Sequence, residues 1–354
     1  MELHTLTTET TDPRERGTLL GARFGAQVRR VAELYREHFA LLGMPVEQVR
    51  DIAGRSHEAL RAWAPDLAEE SDACADAAGV ERWAVAAVGA RTEILAGCPS
   101  PGKGECSTAV FAPAGAAPQT VQTWDWHDLL VPEALLHALT PSEGRTVKLF
   151  TEFGAPGKIG VNSAGLGVHF NILFHASDSA SGGVPVHAVA RRILDEADTL
   201  DQAVEIASTA RVSASTSLTV VTAGSSAASL ELSPAGLAVV PAAEDGWLLH
   251  TNHFLDAGLA AADTGPADSM TAERLAHLRE VRGAMPGLPP AERAKAFCGD
   301  AGADAVVCMR PDEHKPPHEQ WGTLLTVGLD VTRCAIDYLA GAPHEAPTAG
   351  LARF

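Results

Sequence analysis

The 354-residue sequence predicts an α+β chain with two β-sheets packed face to face between helical layers. Three observations carry this. The first hundred residues show the three-and-four apolar spacing of helices. From Cys106 the texture changes to β-prone runs bounded by turn residues. Beyond that point the blocks alternate as strands, helices, strands, helices, strands, which is the order a layered sandwich gives.

Taken in order, residues 1–15 are polar and read as loose. From Gly17 to about Ala64 the pattern is helical, with Leu20, Phe24, Val28, Val31 and Leu34 on one face. Pro45 can start a second helix through Ile52 and Leu60. One or two more helices reach about Ala87, and the segment ends at Gly89–Ile94, before the breaker-rich stretch Cys98–Gly104. Cys106–Phe111 and Gln119–Trp124 read as a hairpin around the turn residues Pro113 to Pro118. Further strands are expected at 145–153, 157–162 and 166–174, then helices at 184–196 and 200–210. Strands resume at 216–223, 227–233, 236–241 and 246–251. Helices near 267–283 and 289–298 precede a last strand group at 304–309, 321–329 and 332–339, and a polar tail.

An apolar fraction of 46% and a charged fraction of 20% are those of a soluble globular protein. The net charge of −18, from 45 acids and 27 bases, repels nucleic acid and anionic membranes, so neither is expected as a partner. Met1 to Arg16 has no apolar signal region, and no apolar run approaches the ~20 residues a bilayer requires. None of the six cysteines forms a C-x-x-C pair. Free thiols in a reducing cytoplasm fit this composition.

The chemistry centres on Cys106. A thiol one bond from a strained peptide carbonyl can attack it, and water can open the resulting thioester. The cysteine left behind carries its own α-amine, whose pKa of roughly 7.7–8.0 leaves a useful fraction unprotonated near neutrality. Thiol and base then belong to one residue. The plainer alternative is a loop or buried cysteine. For Asp125 it is a turn acid capping the hairpin, and for Trp124 and Trp126 it is core.

Several separated motifs point the same way. They are Arg91-Thr92-Glu93, Cys106-Ser107-Thr108-Ala109, Trp124-Asp125-Trp126, the run Gly160–Val168 leading to Asn171, and His250-Thr251-Asn252-His253-Phe254-Leu255. In order and spacing they resemble the acyl-coenzyme A:6-aminopenicillanate acyltransferase-like family of self-processing N-terminal-nucleophile (Ntn) hydrolases. More distantly they resemble the bile salt hydrolase and penicillin V acylase group. The resemblance covers roughly residues 85–340 and the helical prosegment. It implies a four-layer αββα sandwich and a cut between Glu105 and Cys106. The helical fragment 1–105 and the sandwich fragment 106–354 would then stay associated.

The resemblance also implies roles. Cys106 would be the nucleophile for self-cleavage and turnover, and Asp125 would hold its α-amine. Asn252, and less directly Asn171, would supply oxyanion donors. Arg274 would stand near the nucleophile, where a solvated helix arginine is the alternative. Trp124 and Trp126 would lie beside the substrate. Apart from the resemblance, Arg310, after Cys308-Met309, could equally bind a substrate carboxylate. Asn162 reads better as a hairpin turn, and Arg91 with Glu93 as a buried ion pair beside the cleavage loop. Two departures stand out: Glu105 occupies the position where the penicillin acyltransferase has glycine, and Gln122 the one where bile salt hydrolases have arginine.

His250 and His253 are spaced as metal ligands can be, but no third ligand lies near them in the sequence, and no metal or organic cofactor is expected. The expected substrate is a small-molecule amide or acyl thioester, with water or an amine taking the acyl group. Both a monomer and a homo-oligomer remain open. The rival reading is an uncleaved, non-catalytic binding protein, supported by Glu105.

Overall fold

The computed structural model describes residues 1–98, 105–266 and 269–354. The Pro/Gly-rich stretch 99–104 and the pair Ala267–Asp268, where a helix was expected to begin, lie outside the described residues.

The chain opens with a strand, β1 (Glu2–Thr8), where the sequence suggested loose residues. Five helices follow: α1 (Pro13–Leu41), α2 (Val46–Trp63), α3 (Pro65–Ala78), α4 (Arg82–Gly89) and α5 (Arg91–Leu95). Asp12 caps α1 by accepting from the backbone N–H groups of Arg14 and Glu15, at 2.8 and 3.2 Å, and Pro13 suits the first turn. Gly79 closes α3 in a left-handed conformation. Helices α1 and α3 touch backbone to backbone. A Cβ added at Gly17 would meet the Glu70 carbonyl oxygen at 2.1 Å, and one at Gly21 that of Cys74 at 2.3 Å.

The expected hairpin forms as β2 (Glu105–Phe111) and β3 (Gln119–Trp126). Next comes β4 (Glu133–Leu139), which the sequence did not announce because its Ala-Leu-Leu-His-Ala-Leu run is made of helix formers. β5 (Val147–Thr151), β6 (Ile159–Asn162) and β7 (Leu166–Ile172) lead to α6 (Val186–Glu196) and α7 (Leu200–Thr209). Then come β8 (Thr216–Thr222), β9 (Ala227–Ser233), β10 (Gly236–Pro241) and β11 (Trp247–His250). The short α8 (Ala257–Ala260) precedes α9 (Thr271–Val281) and α10 (Pro290–Cys298). The chain ends with β12 (Gly322–Asp330), β13 (Ala335–Leu339), α11 (Ala346–Ala349) and β14 (Ala352–Arg353). Residues 304–309, expected as a strand, finish a 3₁₀ helix and turn instead. They add no strand beside β12, which is flanked by β3 and β13.

The strands make two sheets. The first has the order β1-β4-β5-β6-β7-β8-β9-β10, the second β11-β2-β3-β12-β13-β14. Among the described residues only the β1–β4 pairing is parallel, with Glu2 opposite Glu133, and it follows the long helical excursion that a parallel return requires. The sheets lie face to face, β2 against β7, with α6 and α7 covering the first and α9 and α10 the second. This is a four-layer αββα sandwich. One apolar core runs from α1 through both sheets to α6, and a second fills the space between the six-stranded sheet and α9 and α10.

Candidate active site

Cys106 is the second residue of β2, an interior strand of the six-stranded sheet. In the hairpin register Cys106 lies opposite Trp124, and Glu105 opposite Asp125. Strand alternation therefore puts Cys106, Trp124 and Trp126 on one face, and Glu105 and Asp125 on the other.

Side chains from separate elements hold both peptide groups of Cys106. Its N–H donates to Asn252 Oδ1 at 2.8 Å. Its carbonyl oxygen accepts from Arg274 Nη1 at 2.8 Å and Asn171 Nδ2 at 3.1 Å. Asn252 stands just past β11. Its backbone N–H donates to Thr271 Oγ1 at the start of α9, and its Nδ2 to the Ile172 carbonyl at the end of β7. Asn171, on β7, also accepts from the Thr108 hydroxyl at 2.8 Å, bridging the two sheets. Arg274, on α9, is fully buried and donates to Ser107 Oγ, Asn252 Oδ1 and the Ser269 carbonyl as well.

Arg274 also pairs with the Glu105 carboxylate. Burial pushes this guanidinium down to about 9, and the carboxylate against it favours the charged form. Asp125 accepts from Thr323 Oγ1 at 2.6 Å through one oxygen, while its buried Oδ2 has no partner among the described residues. Burial, against the Thr323 bond, holds Asp125 well above the usual carboxylate range. Burial also pushes the Cys106 thiol up to about 12. An untouched thiol here is a poor nucleophile near neutrality, so any attack requires a base.

The thiol opens on a small cavity lined by Arg91, Cys106, Trp124, Asp125, Trp126, Lys158, Phe170 and Ile172. Two of these, Arg91 and Lys158, bring positive charge. Arg91 does not pair with Glu93 as the sequence suggested, because residues two apart on a helix point away from each other. Its guanidinium binds Glu152 instead, Nε at 3.1 Å and Nη2 at 2.6 Å, while Glu93 accepts from the backbone of Val186. Tyr35 on α1 donates to Glu152 and accepts from Trp126 Nε1.

The structure therefore gathers Glu105, Cys106, Trp124, Asp125, Trp126, Asn171, Asn252 and Arg274 around one point. It does not bring Arg310 there. That side chain is exposed, donating to the Ala303 carbonyl and 3.4 Å from Asp304. His250 is held by Glu231 at 2.8 Å and by the Thr251 carbonyl, and His253 by Thr271. Gln122, at the departure from the bile salt hydrolase pattern, bonds the Phe170 carbonyl and His169 across the sheets. Asn162 organises the β6–β7 turn, accepting from Ala164 and Leu166. Lys158, Glu152, Tyr35 and Thr323 were not picked out from the sequence. They belong to no local motif and reach the site only through tertiary packing.

The profile of the acyl-coenzyme A:6-aminopenicillanic acid acyl-transferase family matches residues 116–343. Asp125, Asn171, Asn252 and Arg274 lie inside that stretch; Glu105 and Cys106 lie just before it. A curated relative from Emericella nidulans, the 40 kDa form of acyl-coenzyme A:6-aminopenicillanic-acid-acyltransferase, is 31% identical over 196 residues, 54% of each chain. The chain thus spans about half the length of the curated relative it matches. Among solved structures, penicillin V acylase from Agrobacterium tumefaciens aligns at 15% identity over 66% of this chain and 83% of its own, with a TM-score of 0.41. The Caenorhabditis elegans N-acylethanolamine-hydrolyzing acid amidase ortholog aligns at 13% over 64% and 93%, with a TM-score of 0.44. A mutant of the Clostridium perfringens conjugated bile acid hydrolase aligns at 12% over 70% and 92%, with a TM-score of 0.42. With well over half of its length matched by that profile, the chain belongs to the acyl-coenzyme A:6-aminopenicillanic acid acyl-transferase family.

Proposed function

We propose that the chain cuts itself between Glu105 and Cys106 and then works as a cysteine amidohydrolase or acyltransferase on a small-molecule amide or acyl thioester. Attack of the thiol on the Glu105 carbonyl would exchange the peptide bond for a thioester, which water opens. The freed α-amine of Cys106 then takes the thiol proton in each turnover and returns it to the leaving group. Asp125 binds the resulting α-ammonium, Asn252 and Asn171 supply donors for the oxyanion, and Arg274 holds the nucleophile's backbone. Trp124 and Trp126 form walls of the acyl pocket. Fragments 1–105 and 106–354 stay together, because α1 and both sheets share one core. The relative's name points to an acyl thioester as donor and an amine as acceptor; hydrolysis is the same chemistry with water as acceptor.

The observation that supports this reading best is the arrangement around Cys106. Its N–H and carbonyl are fixed by Asn252, Asn171 and Arg274, while a buried Asp125 oxygen on the paired strand has no partner among the described residues. An α-ammonium formed by the cut would satisfy that oxygen. Intact mass of the purified protein tests the reading. The wild type is expected as two pieces meeting at Glu105/Cys106, and Cys106→Ala as one whole chain. A wild-type chain that stays whole across pH would sink it. Added amine should divert product from hydrolysis if transfer is the native reaction, and a product ratio indifferent to amine would exclude transfer.

A second reading has one observation in its favour. The Glu105 side chain is buried and already paired with Arg274, as expected of a chain that keeps its Glu105–Cys106 bond and uses the fold for binding.

A further inference from the structure

Lys158 is a buried lysine without a task in the scheme above. It lies just before β6 with its side chain 3% exposed. Nζ stands 4.4 Å from the centre of the Trp124 ring and 5.2 Å from that of Phe170, and both rings line the cavity that holds Cys106. Trp124 is also the cross-strand partner of Cys106, so lysine and thiol are neighbours of the same indole.

The titratable groups around Lys158 are Arg91, Glu152, Cys106 and His187, the last held neutral by burial. Glu152 Oε2 is 3.9 Å from Nζ, but that carboxylate already takes Arg91 and the Tyr35 hydroxyl. One carboxylate thus faces two cations. Arginine keeps its proton under all ordinary conditions, so the lysine is the group that can give one up. Burial, with Arg91 adding to it, lowers Lys158 to about 7.

Self-cleavage has a problem that turnover does not. Before the cut the nitrogen of Cys106 is an amide N–H donating to Asn252, and an amide cannot accept the thiol proton. Burial raises the Asp125 carboxyl well above the usual carboxylate range, which disfavours its basic, ionised form. Among the described residues lining the cavity, Lys158 is what remains as a base.

We propose that neutral Lys158 is the general base of the self-cleaving step, an inference that rests on the self-processing reading. Its Nζ lone pair takes the Sγ proton, leaving ammonium and thiolate. The thiolate pair forms the S–C bond to the Glu105 carbonyl carbon, and the C=O π pair moves to oxygen. Collapse breaks the C–N bond, and the lysine proton passes to the departing nitrogen. The products are a thioester, a free α-amine and neutral Lys158. Water then hydrolyses the thioester to the Glu105 carboxylic acid and the Cys106 thiol. After the cut the α-amine takes over as base.

The test uses the full chain, pulse-labelled in cell-free synthesis and chased at pH 5.5 to 10. Wild-type cleavage is expected to rise through a midpoint near 7 and to stay flat above about 8, because Lys158 is then neutral. A thiol that ionises unaided would instead give a rate climbing about tenfold per pH unit through pH 10. Lys158→Met and Lys158→Arg, with folding checked by circular dichroism and thermal midpoint, should slow cleavage at pH 7.5 by about 100-fold or more and lose the plateau. Arginine keeps the charge beside Glu152 but has no basic lone pair, so a purely structural role predicts that Arg rescues and a base predicts that it does not. Wild-type rate in either folded variant, or a wild-type profile without a plateau, overturns the role of Lys158 alone. If neither variant folds, the wild-type profile decides. A wild-type chain that never cleaves overturns the self-processing reading and this inference with it.

Discussion

Asn252 is the residue on which the site turns, because it spans three elements. Its Oδ1 takes the Cys106 N–H, its Nδ2 reaches β7, and its own N–H rests on the first residue of α9. Asn252→Ala leaves the Cys106 N–H and the Ile172 carbonyl without partners. A cost of about 1–3 kcal/mol per buried group is expected, read as a lowered thermal midpoint. If Asn252 supplies the proposed oxyanion donor, its loss should cut turnover by roughly 10²–10³-fold, read on an amide substrate; wild-type turnover would remove Asn252 from the proposed mechanism. Much at this scale was legible in the sequence. Cys106, Asp125, Asn252, Asn171 and Arg274 each stand in a local motif, and the structure gathers all five. Lys158 was not legible: a lysine after Pro-Gly reads as solvated, and only the closure of β6 onto β7 and the Trp124 face buries it. Arg310 failed in the opposite way, since a cation near a site in sequence need not reach it in space.

At the scale of elements, the contact of α1 with α3 depends on glycine. Gly21→Ala drives a methyl group into the Cys74 carbonyl, which is backbone and cannot rotate away. Overpacking of this kind costs about 1–3 kcal/mol. Denaturant unfolding of purified Gly21→Ala should show that loss, and an unchanged midpoint would mean that the helices separate freely. The helices themselves were readable from their spacing and from Pro45. Two strands of the first sheet were not. β1 is a Thr-rich polar segment with only Leu6 and Thr8 buried, and its partner lies about 130 residues away. β4 is written in alanine and leucine, and burial on nearly every position overrides their helical preference. The 304–309 run has strand composition but finishes a 3₁₀ helix and turn, and the neighbouring β12 is already paired on both sides, which composition cannot reveal.

At the scale of the molecule, Glu70 ties three helices together. It accepts from Arg16 on α1 and from Arg191 on α6, at 2.9 and 3.0 Å. Burial raises the Glu70 pKa, but the two arginines outweigh it and hold the carboxyl at about 2 against its ordinary 4.5. A folded pKa below the unfolded one means that this stabilisation is complete above 4.5 and is lost as pH falls through about 2. Glu70→Gln should therefore cost about 3–5 kcal/mol near neutrality, since buried Arg16 loses its carboxylate and Arg191 keeps only Asp195. It should also flatten the decline in stability between about pH 4.5 and 2. Thermal midpoints of both proteins over that range check the sign; parallel curves would show that Glu70 titrates alike in both states. The layered architecture was legible because blocks of periodicity survive in any sequence. This clamp was not, since its members lie 54 and 121 residues apart.

The Glu105–Arg274 pair has a further consequence if the chain cuts itself there. Scission turns Glu105 into a carboxy terminus, so the new end carries two carboxylates beside one buried guanidinium. The severed tail is then its own product inhibitor, bound at an effective concentration far above that of any diffusing substrate. Maturation becomes two events, bond breakage and tail release, and only the second admits substrate. A time course should show activity lagging behind the appearance of fragments, with the lag shortened in Glu105→Gln. Activity that tracks cleavage minute for minute would show that the tail leaves as soon as it is made.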